Sequence, residues 1–298
     1  MYLMSKINVL LVGLGNIGYQ YDQNSEYIQT HFKAINYNKN YNLIGIIEKN
    51  KKKISRLKKI YNINIQTKVS KKILKLVNLI VLAVPTNVQF KILNDILNMG
   101  YKKNFVLEKP FTTNPNEINE ICKMKRQKFF INYYRNYDDK LISFLNKIKQ
   151  KKKLKIYVEY SKGFFHNFSH YLNLFIKIFG DIKKIKFNKK KKIKKDLKAD
   201  GRIDFKNLIL NFKNIPDKYD SKFIIFQNNK IILYYMKDGL KIINKIKKYR
   251  LNPNYNYMEN VYLNIYKSIK KKKSNIYDIK SHKKLIQKIN LYGEIQKI

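Results

Sequence analysis

Ile7-Asn8-Val9-Leu10-Leu11-Val12-Gly13-Leu14-Gly15-Asn16-Ile17-Gly18 is the stretch on which the fold of this chain turns. A short β-branched apolar run that ends directly in glycines reads as a buried parallel strand. Gly13 then permits the tight turn, Gly15 lets the backbone approach a pyrophosphate, and Gly18 lets the next helix sit close to the strand. Free N–H groups around Asn16 and Ile17 at that helix start would hold phosphates. A GxGxxG by itself is a weak signal, so its surroundings decide.

Tyr41 to Ile47 reads as a second buried strand and ends in Glu48, where a carboxylate can accept hydrogen bonds from the ribose hydroxyls of an adenosine. The spacing from Gly18 exceeds the usual ~20 residues, which implies an insertion around Tyr21 to Ile28. Lys71 to Leu76 has a helical pattern, Leu79 to Val84 reads as a third strand closed by Pro85, and Asn87 to Asn98 is an amphipathic helix ended by Gly100. Phe105-Val106-Leu107 is a fourth strand running into Glu108-Lys109-Pro110. Strands alternating with helices require crossover connections and hence a parallel, doubly wound sheet. Pro85, Glu108 and Lys109 all fall at strand C-termini, where such sheets carry their ligands.

From about residue 136 the periodicity changes. Leu154 to Tyr160, Ile182 to Phe187, Arg202 to Phe212, Phe223 to Phe226 and Lys230 to Tyr235 read as strands, with turn signals at Asn228-Asn229 and Asp238-Gly239. Helices from about Met258 to Lys270 and Ser281 to Ile289 close the chain. The expected fold is therefore an α/β N-terminal domain with a doubly wound parallel (Rossmann) sheet, residues 1–135. An α+β domain with a mostly antiparallel open sheet follows, residues 136–298, for substrate contacts and oligomerisation.

The 298 residues are enough for two domains of about 100 to 200 residues each, and 44% are apolar, so a core can be buried. The net charge of +44 raises nucleic acid as a partner. Yet only five of the 64 basic residues are arginine (Arg56, Arg126, Arg135, Arg202, Arg250), and lysine lacks the planar fork that reads base edges and phosphates. The lysines accompany an excess of Ile, Asn and Tyr, as an AT-rich codon bias produces, so nucleic acid is not the expected partner. The densest run, Lys189 to Lys195, has no interleaved aromatics to stack bases and reads as a solvated strand edge. Cys122 is the single cysteine, which excludes an intramolecular disulfide, fits a reducing cytoplasm and reads as a helical packing residue. Ile7 to Ile17 is broken by glycines and lacks a cleavage site, and Leu79 to Val84 is far short of the ~20 residues that cross a bilayer. A soluble cytoplasmic protein with no membrane partner is expected.

GLGNIG, Ala83-Val84-Pro85, Glu108-Lys109-Pro110-Phe111, Asn132-Tyr133-Tyr134-Arg135, and Gly163 to His170 with Gly180 occur in that order. Together they resemble the Gfo/Idh/MocA oxidoreductases, the family of glucose-fructose oxidoreductase and inositol dehydrogenase. The resemblance covers roughly residues 6 to 180, and its most specific part is the Glu-Lys-Pro element. It implies an NAD(P)-dependent dehydrogenase or reductase acting on a sugar, cyclitol or nucleotide-sugar carbon, with surface-polysaccharide sugar biosynthesis as one setting, and a homo-oligomer. Lys109 would contact the reacting hydroxyl or carbonyl, Glu108 would line the nicotinamide end, Pro110 would fix the turn, and His170 would be the catalytic histidine. His31 falls where relatives carry a histidine in the first helix, in a structural role. Two positions depart from the family: Gln89 stands where a histidine is common, and His166 stands where an aspartate often precedes the catalytic histidine by four.

Oxidising a secondary alcohol needs a base for the hydroxyl proton and a hydride acceptor on the other side of the carbon; one lysine and one histidine suffice. The cofactor contacts expected are Gly13, Gly15, Asn16, Ile17, Gly18, Glu48, Pro85 and Glu108. Glu48 would repel a 2′-phosphate and so favours NAD, while Lys49, Lys51, Lys52 and Lys53 keep NADP open. Arg135, Lys162, His166 and Asn167 are the candidate substrate contacts; Arg135 could alternatively pair with Asp138. His166 and His170 are four apart and could share a helix face for zinc, but Asn167 occupies the place of a metalloprotease glutamate and no cysteine cluster completes a site, so no metal is expected. The alternative function is a catalytically inactive dinucleotide-binding sensor or a polyanion-binding protein.

Overall fold

The computed structural model describes residues 6–151, 153–193, 196–236, 239–243, 248–251, 256–270 and 279–292. The chain divides into two compact units, residues 1–134 with 255–283 and residues 135–254 with 284–298.

In the first unit β1 (Ile7–Val12), α1 (His31–Asn36), β2 (Tyr41–Ile47), α2 (Lys51–Lys58), β3 (Ile65–Gln66), α3 (Lys71–Leu76), β4 (Leu79–Leu82), α4 (Thr86–Asn98), β5 (Asn104–Leu107), α5 (Pro115–Cys122) and β6 (Phe129–Ile131) follow in order. The six strands pair in parallel in the order β3-β2-β1-β4-β5-β6. This is the strand order of a dinucleotide-binding sheet, with its switch point between β1 and β4. All four residues of β4 are buried, as a parallel strand covered on both faces requires. The two-residue β3 escapes a reading by hydrophobic runs, so the strands read as third and fourth are β4 and β5.

Helix starts in this unit are set by side chains accepting from the first free backbone N–H groups: Thr30 for α1, Asn50 for α2, Ser70 for α3 and Asn114 for α5. The insertion after the glycine turn is closed by Asp22. Its Oδ2 accepts from the N–H of Gln29 (2.7 Å) and Thr30 (2.8 Å), and its Oδ1 accepts from Thr30 Oγ1 (2.9 Å). One aspartate thus ends the insertion and fixes the residue that caps α1, which fixes His31.

The second unit contains α6 (Asp139–Ile148), β7 (Leu154–Tyr160), α7 (Ser169–Phe179), β8 (Lys184–Ile193), β9 (Asp196–Asp204), β10 (Leu208–Asn214), β11 (Lys222–Gln227), β12 (Lys230–Met236), β13 (Gly239–Ile243) and β14 (Lys248–Leu251). The eight strands form one sheet, ordered β14-β13-β12-β11-β7-β10-β9-β8, with β7 and β10 parallel and the other pairs antiparallel. β7 alternates buried and partly exposed residues, the sign of a sheet with one covered face. That face packs on aromatics: Phe168 lies 4.8 Å from Phe212 and Phe175 lies 5.4 Å from Phe223, ring centre to ring centre.

Two strand expectations need adjusting. Arg202 to Phe212 is two strands, because the buried alternation of Ile203 and Phe205 slips phase before Leu208, Leu210 and Phe212, and the N–H of Phe205 bonds the Leu208 carbonyl across the turn. The strand expected at Ile182 to Phe187 runs on to Ile193, since Lys189 to Ile193 pair with Asp200 to Asp196. β8 is an edge strand whose lysines are exposed; Lys194 and Lys195 lie outside the described residues. Asn228 and Asn229 both adopt positive φ (50° and 61°), as a two-residue hairpin turn demands; Asp238 of the other expected turn lies outside the described residues. Two helices follow, α8 (Tyr257–Ile269) and α9 (Ile279–Tyr292).

Candidate active site

The glycine turn separates into glycines the fold needs and one it does not. A Cβ on Gly13, at φ 97°, would fall 2.6 Å from the Ala83 carbonyl oxygen, and one on Gly18 would fall 2.3 Å from the Gly13 carbonyl oxygen. Backbone meets backbone at both, so neither tolerates a side chain. Gly15 has φ −73° and ψ −168°, open to any residue, and a Cβ there would meet nothing nearer than the Ala83 oxygen at 4.0 Å. The protein does not require glycine at position 15, but a pyrophosphate lying against the turn does. Asn16 and Ile17 follow in a single π-helical turn, in which the N–H groups of Tyr19 and Gln20 both bond the Gly15 carbonyl.

Glu48, at the end of β2, braces this turn. Its Oε2 accepts from the Leu14 N–H (2.8 Å), and Oε1 accepts from the N–H groups of Lys49 (2.8 Å) and Asn50 (2.9 Å). Lys53 Nζ donates to the Leu14 carbonyl (3.0 Å). One helical turn on, Lys51, Lys52, Ser55, Arg56 and Lys59 line an open depression of about 480 Å³.

At the end of β5 Glu108 is held through its backbone and through one carboxylate oxygen. The Gln89 side chain accepts from the Glu108 N–H (2.7 Å) and donates to the Glu108 carbonyl (3.1 Å). Oε1 of Glu108 meets His31 Nε2 (2.7 Å) and Asn132 Nδ2 (2.6 Å). Burial works against ionisation of this carboxyl, but the hydrogen bond and electrostatic pull of His31, then the Asn132 amide and the Lys109 charge, outweigh it and hold it below the usual carboxylate range. Lys109 follows directly, joined to Pro110 by a cis peptide. Thr86 Oγ1, just after Pro85 at the end of β4, donates to the Pro110 carbonyl (3.0 Å). His282 on α9 is fully buried, with Nε2 3.2 Å from the Thr112 carbonyl and Nδ1 3.2 Å from the Tyr133 hydroxyl. Burial first, offset in part by the bond to Thr112, lowers its pKa to about 4.

In the second unit Gly163 has φ 129°, and a Cβ there would strike the Asp196 carboxylate. That carboxylate accepts from the N–H groups of Phe165 and His166 (both 2.8 Å) and fixes the π-helical turn Phe164–Phe168 that leads into α7. His166 is exposed and His170 buried, so the two do not share one environment. The Lys162 N–H bonds Asp217 Oδ1 (2.8 Å) and Asn167 Nδ2 bonds Ser221 Oγ (2.7 Å), which ties both to the loop 215–221. Arg135 lies with its guanidinium 4.3 Å above the Tyr171 ring and Nη1 3.2 Å from the Tyr235 hydroxyl. Asp138, the other partner considered for Arg135, caps α6 by accepting from the Leu141 N–H (3.0 Å).

Residues 7–133 match the family model described as the oxidoreductase family with an NAD-binding Rossmann fold. This segment is the NAD-binding Rossmann domain of the Gfo/Idh/MocA oxidoreductase family. The chain is an NAD-binding dehydrogenase or reductase. No curated protein matches the sequence significantly. Among solved structures the chain is similar to a dehydrogenase from Chromobacterium violaceum (TM-score 0.75, 12% identity, covering 98% of this chain and 95% of that one). It is also similar to the WlbA dehydrogenase from Bordetella pertussis in complex with NADH and UDP-GlcNAcA (0.74, 13%, 98% and 96%). A third is the UDP-N-acetylglucosamine 3-dehydrogenase GnnA from Acidithiobacillus ferrooxidans (0.73, 13%, 99% and 99%). At such identities these likenesses speak for the fold alone.

The Gfo/Idh/MocA domain thus brings Gly13, Gly15, Asn16, Ile17, Gly18, Glu48, Pro85, Glu108 and Lys109 to the C-terminal edge of one sheet. His170, His166, Asn167, Lys162 and Arg135 belong to the other unit. Sequence reading misses the hold of Gln89 and Asn132 on Glu108. Gln89 does leave a signal: it shares the buried stripe of α4 with Leu93 and Ile96, and a polar residue in an apolar stripe calls for a partner. No helix among the described residues is long and apolar enough to cross a membrane.

Proposed function

We propose that this oxidoreductase transfers a hydride between NAD and a hydroxyl or carbonyl carbon of a sugar, cyclitol or nucleotide sugar, in a reducing cytoplasm. The observation that carries the reading is the pairing of Gly15, a glycine only a ligand needs, with Lys109, set beside a clamped carboxylate two strands away in the same sheet. In a sheet of this order the adenosine half of a dinucleotide lies over β1 to β3 and the nicotinamide half over β4 to β6. When bound, the nicotinamide supplies the hydride acceptor or donor.

The chain's own residues handle the proton. The Lys109 ammonium gives a proton to the carbonyl oxygen in reduction, its neutral amine takes the hydroxyl proton in oxidation, and the buried imidazole of His170 is the second proton-handling group. Gly13 to Gly18 and Glu48 hold the cofactor, with Glu48 setting a preference for NAD over NADP. Arg135, Lys162, His166 and Asn167 are the substrate contacts. The nucleotide-sugar class draws support from the ligands named for WlbA and GnnA, and surface-polysaccharide sugar synthesis is a setting consistent with it.

The test is turnover of NAD and NADP against a panel of sugars, cyclitols and nucleotide sugars, with Lys109→Ala beside the wild type. Turnover that vanishes in the variant while NADH binding persists supports the reading. Tight NADH binding without turnover on any panel member would favour a sensor instead.

A further inference from the structure

Tyr262 and His31 settle between them where a buried proton sits. Tyr262 on α8 is fully buried, and its hydroxyl lies 2.8 Å from His31 Nδ1. Among the described residues no other acceptor takes the Tyr262 hydroxyl proton; the Tyr262 backbone carbonyl is itself an acceptor, from Tyr41 Oη (2.6 Å). A buried hydroxyl proton left without an acceptor is costly, so Nδ1 of His31 must accept. The imidazole then carries its single proton on Nε2, which faces Glu108 Oε1 at 2.7 Å and donates to it. An imidazolium would put a proton on both nitrogens and strand that of Tyr262.

Oε1 of Glu108 also receives the Asn132 amide, so both side-chain donors converge on one oxygen. The Glu108 side chain keeps 13% exposure, and neither donor bonds Oε2. We propose that Tyr262 and His31 form a tautomer lock, with His31 a positioning residue that presents Glu108 Oε2 as a fixed anionic acceptor for the nicotinamide half of the dinucleotide. The donor it suits is a carboxamide NH2 or a ribose hydroxyl. The assignment rests on the dinucleotide reading above and extends it to residues of α1 and α8 that touch neither cofactor nor substrate.

Two measurements test it on the full-length protein. The chain has four histidines, so nitrogen-15 histidine spectra resolve His31 by comparison with His31→Gln. The wild type should show a neutral ring protonated on Nε2, and Tyr262→Phe, which removes the hydroxyl proton that Nδ1 accepts, should bring in the imidazolium. The second measurement titrates NADH and ADP-ribose, the fragment lacking nicotinamide, into wild type, Tyr262→Phe and His31→Gln. NADH should bind about tenfold more weakly to the variants, with ADP-ribose affinity held within about twofold. Equal losses for both ligands would mark simple packing damage and overturn the proposal, as would unchanged NADH affinity or an Nδ1-protonated His31 in the wild type. Wild-type protein that binds neither ligand would overturn the dinucleotide reading itself and, with it, the role given to Oε2.

Discussion

Glu48 and Glu108 end two strands of the same sheet, yet the chain holds them by opposite means. Glu48 is part-exposed and accepts from backbone N–H groups, two of them within two residues and the third, Leu14, 34 residues back. Glu108 takes its side-chain bonds from His31, 77 residues away, and Asn132, 24 away, while Gln89 grips its backbone from α4. The adenosine end of the sheet is thus held by backbone donors and the nicotinamide end by side chains. A part-exposed brace can be lost cheaply, whereas a buried clamp cannot, because its partners are left without water.

The largest effect should come from breaking the clamp. Glu108→Ala leaves the His31 Nε2–H and the Asn132 amide buried and unanswered, and should destabilise the protein by about 3 to 5 kcal/mol in chemical denaturation. A loss below about 1 kcal/mol would show that the clamp is no stronger than the brace.

Acid should separate the two ends next. His282, which bonds Thr112 just beyond Lys109, has a folded pKa of about 4 against an ordinary 6.5. Between those values the unfolded chain binds the extra proton, so its contribution is full above pH 6.5 and disappears as pH falls through 4, by about 3 kcal/mol in all. Glu108, held below the usual carboxylate range, gives up its share only at lower pH still. Hydrogen-exchange protection at Thr112, taken against the intrinsic rate at each pH, should therefore fall from pH 6 downward while Leu14, braced by Glu48, keeps its protection. In His282→Gln the stability slope over this window should flatten.

The smallest effect belongs to Glu48→Gln, which keeps an acceptor for Leu14 and should cost no more than about 1 kcal/mol. Its value lies in specificity: removing the charge should narrow the NADH-over-NADPH preference in a binding titration, since Lys51, Lys52, Arg56 and Lys59 stand nearby. An unchanged ratio would mean that Glu48 serves only the turn.

The same contrast explains what could be read from sequence. Apolar runs ending in Gly13, Glu48, Pro85 and Glu108 give the parallel sheet, because strands buried on both faces are local apolar runs. Two bonds of the brace around Glu48, from Lys49 and Asn50, follow from proximity along the chain, while the third, from Leu14, follows from the pairing of β1 with β2. The link between Tyr262 and His31 spans 231 residues, and no local period records it. Only the polar Gln89 within the buried stripe of α4 hints that a partner waits. In the second unit the phase slip between Phe205 and Leu208 is written in the alternation, whereas the carboxylate that Asp196 brings to Phe165 and His166 arrives from 30 residues or more away.

The most direct test of cofactor binding at this turn is calorimetric titration of NADH into wild type and Gly15→Ala. The backbone at Gly15 accepts alanine and nothing in the fold opposes its Cβ, so the melting temperature should hold, while the methyl group should weaken NADH binding by about tenfold or more. Wild-type binding that survives the substitution undiminished would contradict a dinucleotide lying against this turn.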